Sequence, residues 1–523
     1  MNDNSDDSPG SDPAESFAQG TGDDGPRITF YGGRGMSALP IAFFICWAIV
    51  QTALWRISDT GGLIVGLLIG LIVGMFFVRG SWKTYANTIF EGMTQPVAVT
   101  AIVAWIWAGM FAELLQDGGF VDGLVWFADI AGIGATLFPA ATFVLAALFT
   151  TGIGTGYGAT IAFVTLFFPA GILLGANPIL LFGAILSGAI FGDNLAPVSD
   201  TTIVSAVTQD SDIGGVVASR FKYVIIAAIV ALAGYVVAGQ FMGGLEIGGN
   251  ARQLLVAESE PVGLIHLVSM GVVIGAAVAG RHIVEAISWG IVFAIVFNLS
   301  LGLMDVDGIV SFNAPADAPV AEPLEFLPIL TIVEDADAVG VGGSLINGAA
   351  GFFELAILVL LIIAAAQIMI RGGAFQAILD WSISHLATNV RNAELTMVGS
   401  AALINAVITI NTAAEVAIGP YISKIGERFN LNGYRRANIL DGQTAAMGYI
   451  FPWSGGVLAG YTAMQELPGE YEWFETGMLV TPIDVVPFVF QGWLLVAVFV
   501  VAALTGFGRE YIIDRESEEV ARL

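Results

Sequence analysis

Gly192-Asp193-Asn194-Leu195-Ala196-Pro197-Val198-Ser199-Asp200-Thr201-Thr202 follows directly on an apolar run, Pro178 to Phe191, that suits a lipid bilayer. Two carboxylates, three hydroxyls, an amide and a proline therefore arrive at membrane depth, with no Lys or Arg beside them. A charged Asp at the bilayer centre costs about 2.5–3.5 kcal/mol on insertion scales. Such a charge requires a partner, and these residue types favour a cation or a proton. Pro197 makes an unbroken helix from Asp193 to Asp200 unfavourable, because it removes a donor and clashes with the preceding turn. The break frees main-chain carbonyls, which together with carboxylate and hydroxyl oxygens suit a small hard cation. Ser199 is placed to cap a helix restarting at Asp200. The same string also reads as a surface loop with a helix cap and no ligand.

The rest of the chain agrees with a membrane setting. It has 523 residues, of which 56% are hydrophobic and 12% charged, against about 25% charged in a soluble globular domain. Apolar runs of membrane-helix length recur at about 37–55, 60–78, 97–115, 124–151, 159–175, 178–192, 223–243, 263–280, 283–304, 349–370, 396–411, 441–464 and 483–506. They predict an all-α polytopic protein of about 11–13 transmembrane helices, some of them interrupted. Residues 1–35 read as a disordered acidic tail, 36–508 as the membrane domain and 509–523 as a second tail. No removable signal peptide is recognisable.

Net charge is −27, from 45 acids and 18 bases. That balance opposes nucleic-acid binding, and the acidic tail suits a salt-adapted organism. One cysteine, Cys46, excludes an intrachain disulfide, and three scattered histidines with no His-Glu-x-x-His make a metalloenzyme a poor reading. No Walker motif, cofactor motif or nucleophile–base pair assembles, so no cofactor and no resident metal are expected.

Most bases fit on one side, taken as cytoplasmic. Among them are Arg79, Arg220, Arg281, Arg371, Arg391, Lys424, Arg435, Arg436 and Arg509, with Arg56 and Arg252 falling opposite. Acid-bearing segments without bases, 116–123, 305–343 and 465–484, alternate as external loops, and both termini lie inside. The chain is then inside at both Arg391 and Lys424, so the stretch between must turn back. A re-entrant hairpin satisfies this, and non-helical backbone at that depth is tolerated where protein or a water-filled cavity surrounds it.

Two interrupted units resemble one another weakly. Thr150–Gly158, rich in Gly152, Gly154 and Gly156 and containing Thr155, precedes Asp193; Ile410–Pro420, with Asn411, Thr412 and Glu415, precedes Asp441. Paired interruptions in two halves point to a transporter site. In the second unit Gly442 and Pro452 permit a broken helix, and Asp441 and Thr444 are polar candidates; Asp441 alternatively caps a helix. Glu285 is explained by Arg281 four residues earlier, and Glu354 and Asp129 have nothing beside them to support a relay.

Phe191–Thr202 resembles the Gly-Asp-x-x-Ser-Pro-x-Ser-Asp-Thr-Thr signature of the NhaC-type Na+/H+ antiporter family. The Gly152–Gly158 stretch resembles that family's Gly/Thr-rich helix break. Arg435-Arg436, Leu440-Asp441-Gly442, Thr444 and Pro452-Trp453 resemble its Glu-Asp-x-Gly-Thr and Pro-Trp region. Ala196 stands where Ser is usual, and Leu440 where Glu is common. The resemblance implies two inverted repeats, about 97–243 and 349–506, each with a re-entrant hairpin and a discontinuous helix. It implies exchange of Na+ for H+ across the plasma membrane. Asp193, Asp200, Asn194, Ser199, Thr201 and Thr202 would hold the ion, and Thr155, Asn411, Thr412, Glu415, Asp441 and Thr444 would approach from facing elements. A Na+-coupled organic-anion antiporter of the malate/lactate type would use the same cation site, and a cation channel is the other class; a homodimer is left open.

Overall fold

The structure is a computed structural model, described for residues 28–55, 57, 60–197, 199–244, 259–279, 281–314, 331–334 and 340–512. The acidic tail before residue 28, the end after residue 512, Arg56 and Arg252 lie outside these residues. The described chain is overwhelmingly helical. Seven helices are long and apolar enough to cross a membrane, and four shorter apolar helices accompany them. The run expected at 124–151 is two helices, Phe120–Ile130 and Phe138–Ile153. They part at Gly132, whose φ of 66° is costly for a residue with a Cβ. The segment 305–343, expected as a loop, contains three short strands, Ser311–Ala314 (β1), Thr331–Glu334 (β2) and Gly340–Gly342 (β3). β1 lies centrally, parallel to β2 and antiparallel to β3.

Ten helices frame the broken regions. In the first half they are α1 (Phe138–Ile153), α2 (Gly156–Leu173), α3 (Pro178–Leu195), α4 (Asp200–Thr208) and α5 (Ile213–Phe241). In the second they are α6 (Val390–Ile408), α7 (Asn411–Arg428), α8 (Gly433–Met447), α9 (Gly455–Glu470) and α10 (Phe490–Thr505).

The two halves repeat one backbone device. α1 ends on Gly154 at φ 73° and ψ 18°, and Thr155 then turns extended to start α2. α6 ends on Thr409 at φ 66° and ψ −11°, and Ile410 turns extended to start α7. A left-handed residue followed by an extended one reverses the chain. Phe149 and Phe163 meet across the first turn with ring centroids 5.5 Å apart and planes inclined by 52°, and Ser400 Oγ lies 3.4 Å from Tyr421 OH across the second. Had each pair of helices continued in line, those partners would lie about 20 Å or more apart. Both units are therefore hairpins, as expected around Asn411.

The second device is an interrupted helix. α3 and α4 flank Ala196, Pro197 and Ser199, with Ala196 and Ser199 extended. α8 and α9 flank residues 448–454, which include Pro452. Gly442, expected to break a helix, lies inside continuous α8, where a Cβ would meet the Phe499 ring at 2.3 Å. Gly152 likewise lies inside α1, packed against Ile274. In both, glycine serves close helix packing.

α2 is buried along its whole length, and α3 nearly so. Helix Ile283–Leu301 and α5 keep most of their apolar surface outward, as lipid-facing helices do. The hairpins and interrupted helices thus sit at the centre, with apolar helices around them.

Candidate functional site

Asp193 lies in the last turn of α3 and is 3% exposed. Its Oδ1 accepts from Ser199 Oγ at 2.8 Å. Its Oδ2 accepts from Asn411 Nδ2 at 3.4 Å and Tyr449 OH at 3.3 Å. Asp200 opens α4, is partly exposed, and accepts from Thr412 Oγ1 and from the Thr201 amide. Both carboxylates of the first-half break therefore meet the tip of the second-half hairpin. Ser199 occupies the N-cap position of α4, but its hydroxyl turns to Asp193 and to Thr201 Oγ1 at 2.9 Å rather than capping.

The first hairpin tip meets both the second hairpin tip and the second break. Tyr157 OH donates to Asn411 Oδ1 at 3.2 Å and accepts the Asn411 amide at 3.3 Å. The Tyr157 ring packs on Tyr449, centroids 5.4 Å apart. Gly156 allows this approach, since a Cβ there would sit 1.9 Å from Tyr449 OH. Gly448, at the second break, is as close to Asn411. Thr155 caps α2, its Oγ1 accepting from the Gly158 amide at 3.5 Å.

Asp441 is not arranged like Asp193. Its Oδ2 accepts from Arg220 Nη1, with both side chains fully buried. Arg220 Nη1 also donates to the Asn194 carbonyl (2.9 Å) and Thr202 Oγ1 (3.2 Å), Nη2 to Ser205 Oγ (3.1 Å) and Nε to Asn438 Oδ1 (3.3 Å). Removing two charges from water is expensive unless such hydrogen bonds saturate them. Every Arg220 nitrogen has at least one acceptor. Thr202 Oγ1 is 3.4 Å from both the Asp193 carbonyl and Asp441 Oδ2. Glu415, fully buried on α7, accepts from Thr444 Oγ1 at 2.7 Å.

No Lys or Arg lies beside Asp193 in sequence, but Arg220 reaches the broken regions from α5. It lies about 10 Å inside α5 rather than before it, which buries it instead of leaving it at a cytoplasmic surface. Arg435 is buried too, between Glu394 Oε1 at 2.7 Å and Tyr223 OH at 2.7 Å. Sequence reasoning also missed Tyr157 and Tyr449. An Arg just before an apolar run and a Tyr amid glycines were the available signals.

Several acceptor oxygens in this network have no hydrogen-bond partner: Asn194 Oδ1, Asn405 Oδ1, Glu415 Oε2 and Asp441 Oδ1. A buried orphan of this kind calls for a water or an ion. The donor set is oxygen throughout, which suits a hard cation as cargo and offers a soft metal nothing.

Apolar spans surrounding paired hairpins and broken helices define a multi-pass membrane transporter. The chain belongs to the Na+/H+ antiporter family, whose profile matches residues 33–240 and 206–493, and it is a secondary antiporter. It is similar to the arginine/ornithine antiporter ArcD of Halobacterium salinarum, 25% identical over 491 residues, 88% of this chain and 92% of that protein. It is 27% identical to the malate-2H(+)/Na(+)-lactate antiporter of Bacillus subtilis over 191 residues, 36% of this chain and 39% of that one. It is 24% identical to the Na(+)/H(+) antiporter NhaC of Alkalihalophilus pseudofirmus over 134 residues, 24% of this chain and 27% of that one.

Proposed function

We propose that the chain exchanges Na+ for H+ across the plasma membrane, with Asp193 and Asp200 as the carboxylates that carry the ions alternately. One observation supports this most. Neither acid has a basic partner among the described residues, whereas Asp441, its second-half counterpart, is charge-paired with Arg220. A carboxylate taken out of water gains from either a cation or a proton, and a bound cation favours the charged form and displaces the proton. Exchange follows if the empty, charged site is reluctant to reorient. Asn194, Ser199, Thr201 and Thr202 supply neutral oxygens, Asn411 and Thr412 close over them from the second hairpin, and Glu415 with Thr444 stands behind. Arg220 pairs with Asp441 Oδ2, so Asp441 is held by the first half rather than left to the ion alone. Movement of one half against the other gives alternating access, and both termini face the cytoplasm.

A second reading has its own support. The relative covering most of this chain is an arginine/ornithine antiporter, and a carboxylate pair accommodates a guanidinium as well as Na+. Exchange of cationic amino acids would use the same Asp193 and Asp200.

Reconstituted proteoliposomes decide between them. An outward Na+ gradient should drive H+ uptake, read by a trapped pH dye, with no flux when the counter-ion is withheld. Counterflow of labelled arginine against ornithine, without Na+-driven proton movement, would replace the first reading by the second. Malate and lactate complete the series, and current without a counter-ion would mean a channel.

A further inference from the structure

We propose that a groove of about 640 Å³ beside the second hairpin binds an anionic bilayer lipid, with a hydrocarbon chain laid along α6 and the acidic headgroup at the Arg391 end. One wall is a stripe of α6 that recurs every three to four residues, from Asn392 through Thr396, Gly399 and Leu403 to Val407, joined by Ile418 of α7. The other walls are helix Leu39–Ile49, through Ile41 and Ile45, and helix Ala374–His385, through Phe375, Leu379 and Trp381.

Length and polarity both match a lipid. From Asn392 to Val407 the stripe runs about 22 Å. That is the depth of one leaflet with its headgroups, half of a bilayer of about 40–45 Å. His385, Asn392 and Thr396 lie at the end where helix Ala374–His385 gives way to α6, and Leu403, Ile404 and Val407 lie at the other. Arg391, at the polar end, is exposed and forms no ion pair among the described residues. An unpaired base at that depth attracts an anionic headgroup.

The groove opens toward hydrocarbon. Ile378, Trp381, Leu386 and Leu403 line it and are exposed. The opposite face of helix Ala374–His385 carries Gln376, Asp380 and Ser384, and Asp380 accepts from Gln376 Nε2 at 2.8 Å. An apolar face with Trp and a polar face describe a helix lying at the membrane interface. Midway along the stripe, a Cβ on Gly399 would meet nothing within 4 Å. Glycine weakens a helix interior, and here it leaves room beside α6. The bound chain packs between the second hairpin and the two helices facing it. That hairpin carries Thr412, which donates to Asp200, so the lipid braces the element that meets the carboxylate.

The test places the full chain in phosphatidylcholine vesicles doped with phosphatidylglycerol that carries a photoactivatable diazirine on one acyl chain. After irradiation, labelled residues are mapped by mass spectrometry. Saturable label is expected on Met369, Phe375 and Ile404, which line the groove but are largely buried. Unlabelled phosphatidylglycerol should displace it, and phosphatidylcholine should not. Gly399→Leu should reduce this label by about tenfold or more, because several methylenes lose their place. Ile378→Trp, at an exposed position on the facing helix, fills the groove from the other side and should act alike even if Gly399→Leu misfolds. Label on the outward Trp289 should be unchanged in both. Arg391→Gln should weaken displacement by phosphatidylglycerol about fivefold. Label confined to outward residues, or undiminished in both filled variants, would overturn the site. Displacement by phosphatidylcholine or a nonionic detergent as readily as by phosphatidylglycerol would overturn its preference for an anionic lipid.

Discussion

Arg220 Nη1 donates to Asp441 Oδ2 with both side chains fully buried, joining α5 of the first half to α8 of the second across 221 residues of sequence. A buried pair of this kind contributes little net stability when intact, but losing one partner leaves an uncompensated charge. The same guanidinium holds the Asn194 carbonyl beside the first-half break, so its loss also reaches the residues around Asp193.

Arg220→Gln should therefore destabilise the protein by about 3–5 kcal/mol, read as a lower apparent Tm in detergent. The double variant Arg220→Gln/Asp441→Asn should recover part of that loss, because no unpaired charge remains. Additive losses in the double-mutant cycle would show that the two groups do not interact.

Asp193→Asn and Asp200→Asn should each reduce Na+-driven proton flux in everted vesicles to background while the protein still inserts. Wild-type flux from both variants would remove these carboxylates from the ion path.

The hairpin tip closes over the same acids. Thr412→Ala deletes the hydroxyl that donates to Asp200, a hydrogen bond to a charged group worth about 1.5–3 kcal/mol. Apparent Na+ affinity should fall by about tenfold or more. Tyr449→Phe removes a longer contact to Asp193 and should cost less. Equal Na+ dependence of wild type and Thr412→Ala would separate the second hairpin from ion binding.

Gly156→Ala places a methyl 1.9 Å from Tyr449 OH, so the tyrosine must move and its bond to Asp193 with it. Exchange should drop sharply although α2 gains a better helix former. Gly156→Ala/Tyr449→Phe should recover part of the rate, since the closest clash is gone and the ring carbon at 2.8 Å needs only a small shift. A lone Gly156→Ala with normal exchange would show that the contact is dispensable.

Outside the membrane, Asp212 caps α5 through the Gly215 amide at 2.7 Å and accepts from Tyr434 OH. The Tyr434 hydroxyl, then the Gly215 amide, hold its carboxyl below the usual carboxylate range. A lowered folded-state pKa means the stabilisation is present above the unfolded value and lost as pH falls through the folded one. The destabilisation caused by Asp212→Ala, measured by thermal unfolding, should be full at pH 7 and shrink through the acid range below about pH 4.

Much of the backbone plan is legible in single stretches. Gly154 with Thr155, and Pro197 between two acids, carry local chemistry that ends helices wherever they occur. The interruption around Asn411 is read from its own stretch too, whereas the return of the chain between Arg391 and Lys424 follows from the placement of the bases. Gly442 and Gly152 misled, because a glycine that breaks a helix and a glycine that admits a neighbour are identical letters. Phe499 and Ile274 decide that question, and neither is near in sequence.

Composition, run length and the local breaks by themselves determined that this chain crosses membranes on interrupted helices, because those are properties of neighbouring residues. Tertiary structure alone decided the partners. It set Asp193 and Asp200 under the Asn411–Thr412 tip, set Tyr157 on Tyr449, and gave Asp441 rather than either of them to Arg220. Asp193 in the last turn of α3 and Asp441 inside α8 meet different distant helices, and of the two Asp441 has the guanidinium beside it; in a buried setting that partner decides how a charge is compensated.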